Sequence, residues 1–194
     1  MRLYFITSNK GKYNELNQRL RSLGYSIILE QKNLGYPEIQ ADTVEEVAEY
    51  GIKYIKSRYR YPCVIEDSGL FIDALNGFPG VYSKYVYTTI GLNGVLRLMS
   101  DKKREERSAL FRSVFAYAEH DEEPVLFTGE CRGVISTDIR GTGGFGYDPI
   151  FIPEGADKTF AEMSTEEKNQ YSHRGRSMDK LLLYLREKDG SQRG

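Results

Sequence analysis

Residues 3–23 read LYFITSNKGKYNELNQRLRSL, and this stretch decides the fold class of the 194-residue chain. Leu3–Thr7 is an apolar run with the length of a buried strand. Gly11–Ser22 carries Leu16 and Leu20, with Leu23 just beyond, on one side of a helix. The polar segment Thr7-Ser8-Asn9-Lys10-Gly11-Lys12 joins the two. The alternation continues outward. Tyr25–Leu29 reads as a second strand, and Thr43 with Glu46 forms a capping box opening a helix. The apolar face of that helix is Val44, Val47, Ala48, Ile52 and Ile55. Cys63–Glu66 is a short strand, and Gly91–Met99 a short helix. Ala109–Ala118 and Val125–Ser136 are two long strands joined by the polar turn HDEE. A second capping box, Ser164 with Glu167, precedes a terminal helix patterned by Met178, Leu181, Leu182 and Leu185. Strand–helix alternation followed by a long hairpin predicts an α/β domain on a mixed sheet. Residues 1–188 form that single domain in this reading, and 189–194 a flexible tail.

Composition narrows the partners. The 27 basic and 28 acidic residues leave a net charge of −1. A domain held to DNA or RNA by its overall charge needs a basic face, so no nucleic-acid partner is expected. A local basic pocket for a small anion remains compatible with that balance. No apolar run approaches the ~20 residues of a membrane span, so no membrane partner is expected either. The chain passes directly into the strand pattern MRLYFITSN without a signal-peptide core, which makes the cytoplasm the expected address. Cys63 and Cys131 sit in strand-like apolar runs, suiting buried thiols better than a disulfide framework or a four-ligand zinc site.

Four segments carry chemistry. Thr7 through Lys12 lies where a strand meets a helix start, and backbone N–H groups and the helix dipole there attract anions. Lys12 adds charge. The segment lacks the spacing of a Walker A loop, and an ordinary turn with an Asn9 cap is the alternative. Glu66-Asp67-Ser68-Gly69 puts hard oxygen ligands at a strand end, as Mg²⁺ requires, or else forms a solvated turn. A strand sends Glu66 and Asp67 to opposite faces unless a turn at Ser68-Gly69 bends them together. Glu38, in GYPEIQAD, is a distant second carboxylate. Gly141 to Asp148 matches G-x-G-x-x-G literally, but Pro149 and Pro153 follow, so it does not open a dinucleotide-binding helix. It reads instead as a glycine-rich loop presenting Phe145 to a flat ring, or as a structural turn around a buried aromatic. Finally, Lys168 and Arg174 offer contacts to phosphate or a base edge, and His173 beside Arg174 suits a capping or surface role. Together the four suggest a Mg²⁺-dependent nucleotide site.

On these residues the chain resembles the inosine triphosphate pyrophosphatase family, the XTP/dITP diphosphatases. The carrying stretches are ITSNKGK at 6–12, IEDSGLFIDALNGFPGVYSKYV at 65–86, GTGGFGYDPIFIPEG at 141–155 and TFAEMSTEEKNQYSHRGRS at 159–177. PEIQAD is most similar to archaeal-type members. The resemblance implies an elongated mixed β-sheet flanked by helices, with two lobes around a deep nucleotide-binding cleft. It also implies a homodimer and Mg²⁺-dependent hydrolysis of ITP, dITP and XTP to the monophosphate and pyrophosphate. Carried over by motif, Thr7, Ser8, Asn9, Lys10, Gly11 and Lys12 would hold the triphosphate, and Glu38 with Asp67 the metal. Asp67 would also accept the proton, and Ser68 would touch substrate. Phe145, Gly146, Tyr147 and Asp148, completed by Lys168, His173 and Arg174, would line the base and sugar. One departure stands out. Many relatives carry a lysine in a helical E-N-A-x-x-K pattern, whereas the stretch here is Glu49-Tyr50-Gly51-Ile52-Lys53-Tyr54. Tyr54 takes the lysine's place, leaving Lys53 or Lys56 as substitutes, or no such contact.

Overall fold

The computed structural model describes residues 1–120 and 122–191, with side chains through Lys188. The strands are β1 (Arg2–Ile6), β2 (Ile28–Lys32), β3 (Cys63–Ile72), β4 (Pro79–Gly80), β5 (Ser108–Ala118), β6 (Val125–Ile135) and β7 (Phe151–Pro153). The helices are α1 (Lys10–Ser22), α2 (Val44–Lys56), α3 (Ser83–Thr89), α4 (Gly91–Leu98), α5 (Thr165–Tyr171) and α6 (His173–Ser191). Among the described residues the strands form one mixed sheet, in the order β2-β1-β3-β5-β6-β7, with β4 paired to β3. The predicted α/β class and mixed sheet are what the chain adopts.

The chain divides into two compact units: residues 1–67, 114–128 and 177–194, and residues 68–113 and 129–176. In the first unit β1 pairs in parallel with β2 (Leu3↔Leu29) and with β3 (Phe5↔Val64). Its core gathers Leu3, Phe5, Leu16, Leu20, Val64, Phe115, Met178, Leu181 and Leu185. These include the helix stripes that the periodicity predicted in α1 and α6. In the second unit β3 pairs antiparallel with β4 (Leu70↔Gly80), and β6 with β7 (Ile135↔Phe151). Leu70, Val86, Val95, Met99, Phe111, Phe151 and Phe160 form a separate core there.

Several boundaries differ from the sequence reading, each for a tertiary reason. The second strand lies at Ile28–Lys32, not Tyr25–Leu29, because its pairing with β1 runs from Arg2↔Ile28 to Ile6↔Lys32. Tyr25 and Ile27 instead pack on the first core from outside the strand. Leu23 is not part of the buried stripe: it is the C-cap residue of α1 and 47% exposed. Strand β3 continues through Ser68 and Gly69 to Ile72 where a turn had been the alternative. Gly69 serves close approach rather than turning, since a Cβ there would sit 2.5 Å from the Gly80 carbonyl oxygen of β4. Helix α3 was not anticipated, and α6 is helical through Ser191. Of the expected tail, residues 192–194 lie outside the described residues, as does Asp121 in the predicted HDEE turn.

Candidate active site

In the first unit, the segment after β1 is set by short-range hydrogen bonds. Thr7 Oγ1 accepts from the Asn9 N–H at 3.1 Å, and Asn9 Oδ1 accepts from the Lys12 N–H at 3.2 Å, making Asn9 the N-cap of α1. The Thr7 N–H donates to Lys32 O at 2.9 Å, and Gln31 Nε2 donates to Thr7 O at 2.9 Å. Ser8, Asn9 and Lys10 stand exposed at this helix start. The segment therefore presents backbone donors on a braced turn, which is the arrangement an anion needs.

Strand alternation then assigns the acids to their faces. Val64 packs in the core that receives α1, and Glu66 follows it on the same face. Its side chain is completely buried and lies 2.6 Å from Lys12 Nζ, which also donates to Glu66 O at 3.1 Å. Ile65 faces α2, where it lies against Gly51 and Tyr36, and half-buried Asp67 takes that second face. The continuous strand thus keeps Glu66 and Asp67 apart. Glu66 holds the Lys12 ammonium, a role the sequence reading did not assign; its position two residues after buried Val64 was the available signal.

Tyr36 stands two residues before Glu38 and feels the charges of both candidate ligands. The phenol of Tyr36 is held well above its ordinary ionisation range, first by burial and then by the charges of Asp67, Glu66 and Glu38. Nothing local in the sequence singles out Tyr36. Glu38 itself is exposed, on a segment without regular structure. Among the described residues there is no group of three or more His, Cys, Asp or Glu able to hold a metal. The donor set of Glu38 and Asp67 suits a hard cation that takes one or two carboxylates and completes its shell from phosphate and water. The two candidate substitutes for the family lysine are engaged elsewhere. Lys53 pairs with Glu49 at 2.5 Å, and Lys56 donates to Glu122 O.

The second unit assembles the other group. Gly141, Gly144 and Gly146 all have left-handed φ values, of 79°, 67° and 62°. At Gly144 the requirement is also spatial, because a Cβ would run into the Asp148 carboxylate. Asp148 Oδ2 accepts from the Phe145 N–H at 2.8 Å and from Lys168 Nζ at 2.8 Å, and the Asp148 and Lys168 side chains are only 5% and 4% exposed. The Ser164–Glu167 capping box starts α5 so that Lys168 falls on its buried side. Lys168 Nζ lies 4.8 Å from the Phe145 ring centroid, and the Arg174 guanidinium carbon 5.1 Å. Arg174 also donates to Ser68 Oγ at 3.1 Å.

Two expected ligand groups have core positions. Tyr147 is buried, and its hydroxyl donates to Ser83 O at 2.7 Å; burial pushes its ionisation upward. His173, the first residue of α6, is 2% exposed and stacks on Phe111 with 4.4 Å between ring centroids, so it is neither a surface group nor in a loop. Gly146 stands at the loop's end with open space where a Cβ would point. Asn169, passed over in the sequence reading, is 7% exposed, and its Oδ1 has no hydrogen-bond partner among the described residues.

A braced polar helix start, hard carboxylates and an aromatic ring flanked by cations are features that suit the handling of nucleoside phosphates. The Ham1 family model matches residues 3–184, and the chain belongs to that family. It is 54% identical over 187 residues to the dITP/XTP pyrophosphatase of Thermococcus kodakarensis, covering 96% of this chain and 98% of that one. It is 50% identical over 186 residues to the Pyrococcus horikoshii dITP/XTP pyrophosphatase, covering 96% and 97%. Among solved structures, the Ham1 protein of Staphylococcus aureus superposes with a TM-score of 0.81 at 27% identity, covering 97% of this chain and 100% of that chain. The HAM1 protein of Coxiella burnetii gives 0.81 at 31% identity, covering 96% and 99%.

Proposed function

We propose that this protein hydrolyses deaminated purine nucleoside triphosphates (ITP, dITP and XTP) to the monophosphate and pyrophosphate, with Mg²⁺ as its ion. The observation that carries the purine assignment is the Phe145 ring flanked by Lys168 and Arg174. A purine stacks on such a ring, and both cations donate hydrogen bonds but accept none. Inosine and xanthosine present a carbonyl acceptor at position 6, where adenine presents an amine donor. Facing donor to donor leaves buried polar groups unpaired at about 1–3 kcal/mol each, and sites built this way discriminate by roughly 10⁴-fold.

The first unit supplies the groups for the phosphates. Thr7 through Lys12 hold the triphosphate, with Lys12 Nζ, steadied by Glu66, meeting the charge that develops on departing pyrophosphate. Glu38 and Asp67 would hold the metal, which when bound neutralises charge on the phosphate oxygens. Asp67 orients a water toward the α-phosphorus and accepts its proton as the new P–O bond forms and the bond to the β-phosphate oxygen breaks. From the second unit, Ser68 is a substrate contact, kept in place by Arg174.

A second copy of the chain is the expected partner. Tyr82, Tyr85, Tyr87 and Ile90 stand exposed around α3, with Tyr85 69% exposed, a surface that dimerisation would cover. Among the described residues no helix is long and apolar enough to cross a membrane. The deciding experiment incubates the protein with ITP, XTP, ATP, GTP and dTTP, with Mg²⁺ or with EDTA, and separates the products. Metal-dependent IMP and XMP plus pyrophosphate, with ATP spared, is the expected result. Diphosphate plus orthophosphate, or ATP turned over as readily as ITP, refutes the proposal.

A further inference from the structure

Helix α2 contains a buried glycine in its interior, Gly51. A mid-helix glycine costs about 1 kcal/mol against alanine, so a packing reason is expected. The reason is Tyr36. A Cβ on Gly51 would lie 2.7 and 2.9 Å from ring carbons Cε2 and Cδ2 of Tyr36, and 2.8 Å from Ile65 Cδ1. Every one of these is too close for a real Cβ, so the missing methyl group makes the seat for the ring. The ring belongs to the segment between β2 and α2, which has no regular structure of its own and carries Glu38 two residues further on. Ile65, the third member of the contact, stands two residues before Asp67 on the same face of β3. One packing contact therefore ties together the backbone bearing Glu38 and the strand bearing Asp67.

We infer that Tyr36 is a positioning residue for the metal carboxylates: its ring, seated on Gly51 and Ile65, fixes the segment that presents Glu38. The inference rests on the assignment of Glu38 and Asp67 as metal ligands. It also gives a reason why a glycine occupies position 51, three residues before the position where the family lysine is replaced by Tyr54. An alanine there, although the better helix former, would push the ring from its seat.

The test is direct Mn²⁺ binding to the full chain, measured by the loss of the free-ion electron paramagnetic resonance signal. Five variants are compared after thermal melts establish that each folds: Tyr36→Phe, Tyr36→Ala, Gly51→Ala, Glu38→Gln and Asp67→Asn. Tyr36→Phe keeps the ring in its seat and should bind Mn²⁺ as wild type does. Tyr36→Ala removes the ring and Gly51→Ala displaces it, and each should raise the Mn²⁺ dissociation constant about tenfold. In turnover, Tyr36→Ala and Gly51→Ala should raise the Mg²⁺ concentration needed for half-maximal rate, with kcat at saturating Mg²⁺ within about twofold of wild type, a pattern that general loosening of the fold does not produce. Wild-type Mn²⁺ affinity in both Tyr36→Ala and Gly51→Ala overturns the role of the seat, provided Glu38→Gln and Asp67→Asn lose binding. If those two also bind as wild type, the metal assignment itself fails and the inference falls with it.

Discussion

Replacing Lys168 by methionine tests the buried ion pair that organises the second unit. Asp148 and Lys168 meet at 2.8 Å with both side chains at or below 5% exposure, so solvent does little to screen them. Removing one member of such a pair costs about 3–5 kcal/mol, because the remaining charge stays buried without its partner. The lower end, about 3 kcal/mol, applies here, since Asp148 keeps the Phe145 N–H as a donor. For a chain of this size that corresponds to a fall in Tm of about 6–12 °C. The double variant Asp148→Asn/Lys168→Met removes both charges while retaining an acceptor for Phe145, and should be more stable than Lys168→Met alone. Urea unfolding of wild type, both singles and the double gives the coupling energy directly. Additive losses across the cycle, or a Lys168→Met protein as stable as wild type, would refute the reasoning. Every variant in the cycle is expected to lose turnover of ITP, because Lys168 and the loop carrying Phe145 also serve the proposed base site.

Three further outcomes follow from other features. The carboxyls of Glu46, Glu162 and Glu167 are held below the ordinary 4.5, Glu46 mainly by the Thr43 side chain and the others mainly by the backbone N–H groups of Thr159 and Ser164. A depressed folded-state value means stability that is present above pH 4.5 and lost as pH falls through the folded value. Changing all three to glutamine should therefore flatten the dependence of Tm on pH between about 5 and 3; an unchanged acid limb would remove these caps from the account. Burial pushes the Cys63 thiol up to about 12 and the Cys131 thiol up to about 11. Both should resist iodoacetamide at pH 8 in the native protein and react fully in denaturant, and rapid native labelling would contradict their placement. Arg107 is 4% exposed and its guanidinium donates to the carbonyls of Met99, Lys102, Ile135 and Ser136. Arg107→Lys cannot satisfy that spread of acceptors and should cost about 2 kcal/mol or more, at about 1–3 kcal/mol for each carbonyl left unpaired. A denaturation midpoint equal to wild type would show that the lysine reaches them all.

The amino-acid sequence by itself determined the elements whose signals are local. The capping boxes at Thr43 and Ser164 place the starts of α2 and α5, and the apolar stripes of α1 and α6 are buried in the first core. Capping and periodicity act within a turn or two of chain, so they can be read without knowing the neighbours. The glycine-rich stretch at 141–146 was likewise legible as something other than a helix start, because the prolines that follow exclude one. The tertiary structure decided what depends on partners far along the chain. Pairing with β1 shifted β2 by three residues, and the close passage of β4 explains Gly69 within a continuous strand. That continuity sends Glu66 to Lys12 and Asp67 toward Tyr36, a separation that four consecutive letters left open. The seat that Gly51 makes for Tyr36 and the burial of Lys168 against Asp148 are contacts across space, each favourable only when the other member is present. Local propensity carries no record of such pairs, because the energy that selects them exists only after the chain has brought them together.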